Sequence, residues 1–245
     1  MAQRATEAVD PGDTPLSRQI KSFRDEQRRV WPVSDKFTQH SYQTMYGLFL
    51  APWRDAPRPP KLFEIGLGCE MHYGVGVSVR GWQRALPNAE IWEADVDADC
   101  VAAARKKGQL DGIGTVVGDQ GDASVVRRWV EESGGDFDIV IDDGGHRNGQ
   151  IKTSFDVLWP HLRPGGVYFL EDLHVGRNRK WDDTDGAAVM ADVIKNWTEQ
   201  LLIEPKERLA SKFPLPADAG FVFCQAEACV VGKKTEADLA KNARR

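Results

Sequence analysis

Two aspartates, two glycines and a histidine follow a run of apolar β-forming residues in the segment IVIDDGGH, residues 139–146. A second acidic pair follows another apolar run in the segment FLEDLH, residues 169–174. Ligands of parallel sheets collect at the carboxyl ends of the strands, and neighbouring strands lie about 4.8 Å apart. We therefore expect the two acidic segments to meet at one edge of a sheet.

Carboxylates that converge in a small space repel one another unless protons or a cation lie among them. A hard divalent ion with oxygen ligands fits this need, and we assign Asp143, Glu171 and Asp172 as ligands of Mg²⁺. The single His146 is better placed as a general base than as a further ligand. The alternative is that Asp142 and Asp143 are only turn residues and that His146 only begins a helix.

The other histidines differ in how close they lie to the expected site. His174 follows the second acidic pair and is the second candidate for the base. His72 also lies near an expected site loop. We expect His40 and His161 to be surface or packing residues.

The segment LFEIGLG predicts a strand that opens into a glycine turn. Gly66 and Gly68 have no Cβ, so the backbone at this turn can approach a ligand closely. The next predicted strand ends at Asp95, whose carboxylate can accept hydrogen bonds from both ribose hydroxyls of a nucleoside. The third ends at Asp119 and Gln120, which we place beside an adenine ring.

Acidic residues therefore end three successive strands, at Glu64, Asp95 and Asp119. Folds that bind NAD need the acid of the second strand but have no general need for that of the third. The pattern thus favours S-adenosylmethionine, and we place Asp142 on the cofactor side as well. The alternative is that Glu64 caps neighbouring backbone amides and that Asp119 is the N-cap of the following helix.

The chemistry of a methyl transfer explains why a base and a metal would lie beside such a cofactor. The sulfonium methyl group is already electrophilic, so the protein has to align an acceptor with it and remove the acceptor's proton. A divalent ion makes a hydroxyl more acidic, and an imidazole within hydrogen-bond reach can then take its proton near neutral pH. His146 would be that imidazole.

The elements that position these residues alternate between strand and helix patterns from residue 61 onward. Five apolar β-runs separated by amphipathic segments predict a parallel sheet with helices on both faces and right-handed crossovers. The segment GFVFCQAEACVVGK indicates a hairpin that turns at QAEA. We predict an α/β, Rossmann-like fold of the class I methyltransferase type, with a mostly parallel seven-stranded sheet and an antiparallel C-terminal hairpin.

We divide the chain into an N-terminal helical extension (1–60), a methyltransferase domain (61–233) and a charged, frayed C-terminal tail (234–245). Within the extension, helical spacing predicts helices over residues 14–30 and 34–50, after a polar lead and before a proline-rich connector. The aromatic residues of the second helix are expected to pack against the core, or alternatively to shape a substrate pocket.

Composition excludes several classes of protein. The formal net charge of −5 over 245 residues gives no reason to expect a nucleic-acid partner. No apolar run reaches the roughly 18 residues of a membrane span and no signal peptide is visible, so we expect no membrane partner and a cytoplasmic location. The four cysteines form no CxxC pair, and we expect free thiols.

The motifs FEIGLG, SVRGW, GDQGD, FDIVIDDGGH and LRPGGVYFLEDLH together resemble the metal-dependent sugar O-methyltransferases of macrolide antibiotic biosynthesis. The resemblance covers about residues 62–174. It implies an Mg²⁺ site with His146 as the base, a hydroxylated small-molecule acceptor and a homo-oligomer. The positions it implies for the metal are Asp143, Glu171 and Asp172, and those for the cofactor are Glu64, Gly66, Ser78, Asp95, Asp119 and Gln120.

Three other functions compete with methylation of a sugar hydroxyl in a natural product. A catechol or phenol O-methyltransferase is less favoured, because such enzymes typically place a lysine base near the metal where this chain has His146. A catalytically silent cofactor-binding protein would not need the base and the acids. A nicotinamide-dependent oxidoreductase would not need the acid at the end of the third strand.

Overall fold

The structure is a computed structural model that describes residues 35–181, 186–204 and 211–242, together with the separate residues 18, 21, 22 and 25. These four residues are helical. The polar lead predicted over 1–13 and the rest of the helix predicted over 14–30 lie outside the described residues.

Seven strands form one sheet in the order β3-β2-β1-β4-β5-β7-β6. The first five strands pair in parallel, and β7 pairs antiparallel with both β5 and β6. The predicted class I methyltransferase sheet and its C-terminal hairpin are therefore confirmed. The strands are β1 Lys61–Ile65, β2 Glu90–Asp95, β3 Gly114–Val117, β4 Phe137–Asp142, β5 Leu162–Leu170, β6 Ala219–Gln225 and β7 Ala228–Lys233.

From residue 35 onward, eight α-helices connect and flank these strands in the described ranges. The helix predicted over residues 34–50 is divided into a short α1 and a longer α2, and the predicted C-terminal tail contains α8. The helices are α1 Asp35–Thr38, α2 Gln43–Arg54, α3 Val77–Ala85, α4 Ala98–Lys106, α5 Ala123–Ser133, α6 Asn148–Leu158, α7 Met190–Leu202 and α8 Glu236–Asn242. No helix of the described ranges is long and apolar enough to cross a membrane.

The local sequence explains where these elements begin and end. Every residue of β4 is buried, as expected for a central strand covered on both faces. Helix α5 begins after Asp122, whose side chain accepts a hydrogen bond from the Ser124 backbone N–H, and it ends at Gly134 in the left-handed conformation. Asp122 is therefore the N-cap of this helix, and the alternative capping role of Asp119 is wrong.

The two faces of the sheet carry separate hydrophobic cores. On one face, residues of α2 and α3 such as Tyr46 and Trp82 pack with Ile139 and Ile141 of β4. On the other face, Val140 packs in a cluster built from α5, α6 and α7. The N-terminal helix α2 is thus part of the same core as the sheet.

The prediction of free thiols is wrong, because the structure contains two disulfides. Cys69 is bonded to Cys100 with a Cα–Cα distance of 6.0 Å, and Cys224 is bonded to Cys229 with a Cα–Cα distance of 4.1 Å. The first pair joins the loop after β1 to the first turn of α4, which become neighbours only when β1 and β2 pair. The second pair bridges β6 and β7 in the hairpin. The spacing of the cysteines along the sequence does not show that either pair comes close together in the fold.

Candidate active site

The turn after β1 lies directly against the end of β4. Gly66 has a φ of +110°, and a Cβ built on it would lie 2.0 Å from the backbone oxygen of Asp143. Only glycine permits this approach. The contact fixes the glycine turn to the segment that carries the predicted metal and base residues.

A cavity of about 390 Å³ lies along the carboxyl edge of the strands. It is bordered by the turns after β1, β2, β3 and β4, by α1 and by the residues after β5. The lining includes most of the residues predicted to bind a cofactor, namely Gly66, Gly68, Ser78, Asp95, Asp119 and Gln120, and also Asp143, His146 and Asp172. Glu64 and Asp142 do not line it.

Asp95 holds backbone turns with both of its carboxylate oxygens, and Asp119 holds its turn with Oδ1 alone. Asp95 accepts hydrogen bonds from the Leu67 N–H at 3.1 Å and from the Asp97 N–H at 2.9 Å. Asp119 accepts from the Gly121 N–H at 2.8 Å and from the Gln150 side chain at 3.1 Å. A carboxylate can accept about four hydrogen bonds, so both retain capacity for a ligand in the cavity.

Gln120 connects the end of β3 to the loop after β4. Its Nε2 donates to Oδ1 of Asp142 at 2.9 Å, and its Oε1 accepts from the Gly145 N–H at 2.8 Å. A Cβ on Gly144 would lie 1.9 Å from this same Oε1, so a larger residue there would have to displace the Gln120 side chain. Asp142 is buried behind the loop, and burial raises the pKa of its carboxyl although Ser154 and Gln120 donate to it.

Glu64 lies beneath the cavity, not in its wall. The indole Nε1 of Trp82 donates to Oε2 of Glu64 at 2.9 Å, and Glu93 lies opposite Glu64 on β2. Burial raises the pKa of Glu64. Burial, and then repulsion from Glu64, raise the pKa of Glu93 well above its ordinary value. Protonation of Glu93 would remove the repulsion between the two buried carboxylates.

Three predicted residues converge at the end of the cavity away from Asp95. One ligand atom from each of Asp143, His146 and Asp172 lies within 4.8 Å of the others. The His146 Nε2 lies 3.5 Å from Oδ2 of Asp172. Both His146 and Asp172 have left-handed backbone conformations, with φ of 56° and 52°. Such conformations are costly for residues other than glycine and are concentrated at functional sites.

Glu171 lies next to this cluster but does not line the cavity. The Tyr46 hydroxyl donates to Oε1 of Glu171, and the Lys36 ammonium donates to Oε2 at 2.7 Å. Burial raises the pKa of Glu171 to about 7, against the opposing effect of the Lys36 charge. Glu171 is thus close to the cluster, with both of its oxygens already hydrogen-bonded.

Asp172 is surrounded by donors and positive charge. The Tyr42 hydroxyl donates to Oδ1 at 2.5 Å, and the His40 Nε2 lies 3.7 Å from the same oxygen. Burial alone would raise the pKa of Asp172, but the Tyr42 hydrogen bond and the charges of His146, His40 and Lys36 outweigh it, and the pKa is lowered. Asp172 therefore keeps its negative charge.

Sequence reasoning missed the residues that the N-terminal segment supplies to this site. The aromatic stripe of the predicted helix over 34–50 was a partial signal, since Tyr42 and Tyr46 pack in the core and also direct their hydroxyls to Asp172 and Glu171. Nothing in the local pattern distinguishes Lys36 from a surface lysine. The expectation for His40 as a surface or packing residue is incomplete, because His40 lies beside Asp172.

The remaining histidines lie away from the cluster. His174 is exposed, and its ring centroid is 5.7 Å from that of His40. His72 and His161 are also exposed, and neither lines the cavity. The ring of Trp181 contacts that of His146 edge-on, with 5.6 Å between centroids, and forms the outer wall beside it. The geometry therefore leaves His146 as the histidine that faces the cavity.

Comparison with known proteins agrees with this fold. Residues 69–173 match the family model described as a methyltransferase domain. Over 116 residues the chain is 41% identical to mycinamicin VI 2''-O-methyltransferase from Micromonospora griseorubida, which covers 46% of this chain and 27% of that protein. Over 175 residues it is 40% identical to demethylmacrocin O-methyltransferase from Streptomyces fradiae, covering 70% of this chain and 40% of that protein. The chain thus spans less than half the length of these two curated relatives.

A solved structure is similar over most of the chain. It is the MycE methyltransferase from the mycinamycin biosynthetic pathway in complex with Mg, SAH and mycinamycin VI, with a TM-score of 0.68 and 25% sequence identity. The alignment covers 87% of this chain and 54% of MycE. This chain therefore has the class I methyltransferase fold and resembles the metal-dependent sugar O-methyltransferases of macrolide biosynthesis.

Proposed function

We propose that this chain is an S-adenosylmethionine-dependent, Mg²⁺-assisted O-methyltransferase that acts on a hydroxyl of a small, sugar-containing natural product. One observation carries this proposal: a single cavity is lined both by Asp95 and Asp119 and by Asp143, His146 and Asp172. A nucleoside donor held by the first two acids would extend its reactive end toward the other three residues.

The donor would be held by the carboxyl ends of the first three strands. Asp95 would accept hydrogen bonds from the ribose hydroxyls, and Asp119 and Gln120 would lie beside the adenine ring, since all three line the cavity. The turn at Gly66 and Gly68 brings backbone close to the ligand without side-chain atoms between them. Of Glu64, Ser78 and Asp142, only Ser78 lines the cavity and would contact the cofactor. Glu64 accepts a hydrogen bond from Trp82 of α3, and Asp142 accepts one from Gln120, so these two acids would act only through their neighbours.

The donor set at the far end of the cavity fits a divalent ion. Asp143 and Asp172 offer carboxylate oxygens that lie within 4.8 Å of each other and of a ring nitrogen of His146, and oxygen donors suit Mg²⁺. The two carboxylates would hold the ion, and His146 would remain free as the base. A bound divalent ion supplies positive charge that makes an acceptor hydroxyl more acidic. Glu171 was predicted as the third oxygen ligand and lies beside this set.

His146 would act as the general base of the transfer. Its Nε2 would take the proton of the acceptor hydroxyl while the acceptor oxygen bonds to the methyl carbon and the carbon–sulfur bond breaks, leaving S-adenosylhomocysteine. Asp172, 3.5 Å away and ionised, would stabilise the imidazolium that results. Trp181 would shield this end of the cavity from water.

The comparisons support a sugar hydroxyl as the acceptor group. The curated relatives are named for methylation of mycinamicin VI and of demethylmacrocin, and a third is named as an O-methyltransferase of a rhamnosyl tetracenomycin. In this chain the base would be the histidine His146, as expected for a glycoside acceptor rather than a catechol.

The proposal is tested by two measurements. Calorimetry should show that S-adenosylhomocysteine binds and that NAD does not, and Mg²⁺ should be needed for turnover rather than for this binding. Incubation with labelled S-adenosylmethionine and a panel of glycosides and phenols should give a mass gain of one methylene unit on a glycoside. Binding of NAD alone, or methylation of phenols alone, would contradict the proposal.

A further inference from the structure

The hydroxyl of Tyr42 holds Asp172 at two points. It donates to Oδ1 of the Asp172 carboxylate at 2.5 Å, and it accepts a hydrogen bond from the Asp172 backbone N–H at 3.3 Å. A phenol hydroxyl can donate one hydrogen bond and accept another, so a single oxygen makes both contacts. The backbone and the side chain of Asp172 are therefore both fixed by one residue of the N-terminal segment.

Asp172 has a backbone conformation that needs such support. Its φ of 52° and ψ of 32° lie in the left-handed region, which is costly for a residue other than glycine. Such a conformation persists only where the surrounding structure enforces it. The hydrogen bond from the Asp172 N–H to Tyr42 is one contact that enforces it.

The two carboxylate oxygens of Asp172 have different neighbours. Oδ1 accepts from Tyr42 and lies 3.7 Å from the His40 Nε2. Oδ2 lies 3.5 Å from the His146 Nε2, and Asp172 supplies one of the three ligand atoms that converge with those of Asp143 and His146. Because Tyr42 engages Oδ1, the carboxylate is held with Oδ2 beside the proposed base.

Tyr42 is itself held by packing and does not reach the reacting groups. Its ring is 1% exposed and belongs to the core cluster that contains Tyr46. It stacks on the ring of His40, with 4.9 Å between centroids, and His40 in turn contacts Glu227 through Nδ1 at 2.6 Å. Tyr42 does not line the cavity, so any effect on the site passes through Asp172. It also lies outside residues 69–173, which match the methyltransferase model.

We propose that Tyr42 is a positioning residue of the divalent-ion site. Its hydroxyl holds Asp172 in the left-handed conformation and engages Oδ1, so that the carboxylate is oriented for the ion before the ion binds. Residues that hydrogen-bond to metal ligands orient them in this way, and their loss weakens metal binding. This inference rests on the divalent-ion site of the proposed function, but it concerns metal binding and not turnover.

The matched pair Y42F and Y168F tests the role of the hydroxyl. Each change removes one buried hydroxyl beside an aspartate and keeps the ring, but the Tyr168 hydroxyl lies 3.4 Å from Asp142, which does not line the cavity. Mn²⁺ is the probe, and its binding to the full chain is measured by electron paramagnetic resonance and calorimetry without donor or acceptor. Y42F should bind Mn²⁺ at least about 10-fold more weakly than the wild type, and Y168F should stay within about threefold of it.

Two further measurements separate positioning from general damage to the fold. The affinity of Y42F for S-adenosylhomocysteine without metal should equal that of the wild type, because Asp95 and its turn are unchanged. The double variant Y42F/D172N should bind Mn²⁺ no more weakly than D172N, since Tyr42 acts only through Asp172 and the two losses are then not additive.

The outcomes separate this inference from the proposed function. Wild-type Mn²⁺ affinity in Y42F, equal losses in Y42F and Y168F, a parallel loss of S-adenosylhomocysteine affinity, or additive losses in the double variant would each overturn the role of Tyr42 alone. A wild-type chain that binds no Mn²⁺ would overturn both the inference and Mg²⁺ assistance. Methyl transfer that fails although Mn²⁺ binds as described would contradict only the proposed function.

Discussion

The Nε2 of His146 lies 3.5 Å from Oδ2 of Asp172, and the two residues come from loops that follow neighbouring strands. Both are held in the left-handed backbone region. This conformation costs of the order of 1–3 kcal/mol at each residue and persists only where the surroundings enforce it. The contact between His146 and Asp172 therefore depends on two strained loops, which meet at the carboxyl ends of β4 and β5.

Replacing His146 should remove catalysis without removing the cofactor site. We expect His146→Ala to lower kcat by about 100-fold or more, the usual scale for a lost general base, while S-adenosylhomocysteine affinity stays at the wild-type level. Steady-state kinetics and calorimetry measure the two quantities. His174→Ala is the matched control, because that ring is exposed and does not line the cavity. A larger loss of kcat in His174→Ala than in His146→Ala would reverse the assignment of the base.

Replacing Asp95 should weaken the cofactor site selectively. Hydrogen bonds to a charged group contribute about 1.5–3 kcal/mol, so Asp95→Asn should lower S-adenosylhomocysteine affinity by about 10- to 100-fold. Asp122→Asn provides the control, since Asp122 caps α5 and does not line the cavity. Its affinity should remain unchanged by calorimetry. Equal affinities of the Asp95 variant and the wild type would remove Asp95 from the ribose site.

The buried Glu93 should make stability depend on pH. Burial and then Glu64 raise its pKa in the folded chain above the ordinary value of 4.5. Below pH 4.5 the Glu93 carboxyl is protonated in both the folded and the unfolded chain, so it does not make stability depend on pH there. As the pH rises from there through the folded pKa, only the unfolded chain releases the proton, so stability is lost.

Glu93→Gln should abolish this loss, because the amide stays neutral and can still donate to Glu64. In urea unfolding, the free energy of unfolding of the variant should rise relative to that of the wild type between pH 4 and pH 8. The difference should be about 1.4 kcal/mol for each unit of pKa shift. Glu131→Gln on the exposed face of α5 should stay within about 0.5 kcal/mol of the wild type at every pH. Parallel pH profiles for Glu93→Gln and the wild type would contradict the raised pKa of Glu93.

The two disulfides should contribute unequally to stability. The bond between Cys69 and Cys100 closes a sequence separation of 31 residues and that between Cys224 and Cys229 a separation of 5. The entropy of loop closure then predicts losses of about 3.5 and about 2 kcal/mol when each pair is replaced by serines. Denaturant unfolding measures both double variants. A greater loss for the hairpin pair than for the Cys69 pair would contradict this order.

The Cys69 pair should also affect the cofactor, since Cys69 lines the cavity and Cys224 does not. The Cys69→Ser, Cys100→Ser variant should bind S-adenosylhomocysteine more weakly, while the hairpin variant should bind it as the wild type does.

The carboxyl ends of the strands could be predicted from sequence, because the residue patterns that mark them are local. A buried apolar run that ends in acids shows where β4 and β5 stop, and pairing of these two strands brings Asp143, His146 and Asp172 together. The alternation of strands and helices likewise gave the sheet and the terminal hairpin. These inferences needed only short-range periodicity and the general rules for parallel sheets.

The contributions of Lys36, His40 and Tyr42 could not be predicted in this way. Tyr42 reaches Asp172 across 130 residues of sequence and Lys36 reaches Glu171 across 135. Such contacts depend on how the N-terminal segment packs over the sheet edge, which no local pattern encodes. The same reason explains why the orientation of Glu171 and the two disulfides were not predicted.

The positions of α1 and α2 limit how far the chain can be shortened from its N-terminal side. A proline-rich stretch before residue 61 looks like a convenient start for a minimal clone that keeps the whole sheet. Such a shortened product would lack the hydroxyls of Tyr42 and Tyr46 and the ammonium of Lys36. Asp172 and Glu171 would then lose these hydrogen-bond donors. Expression trials should therefore retain everything from Asp35 onward.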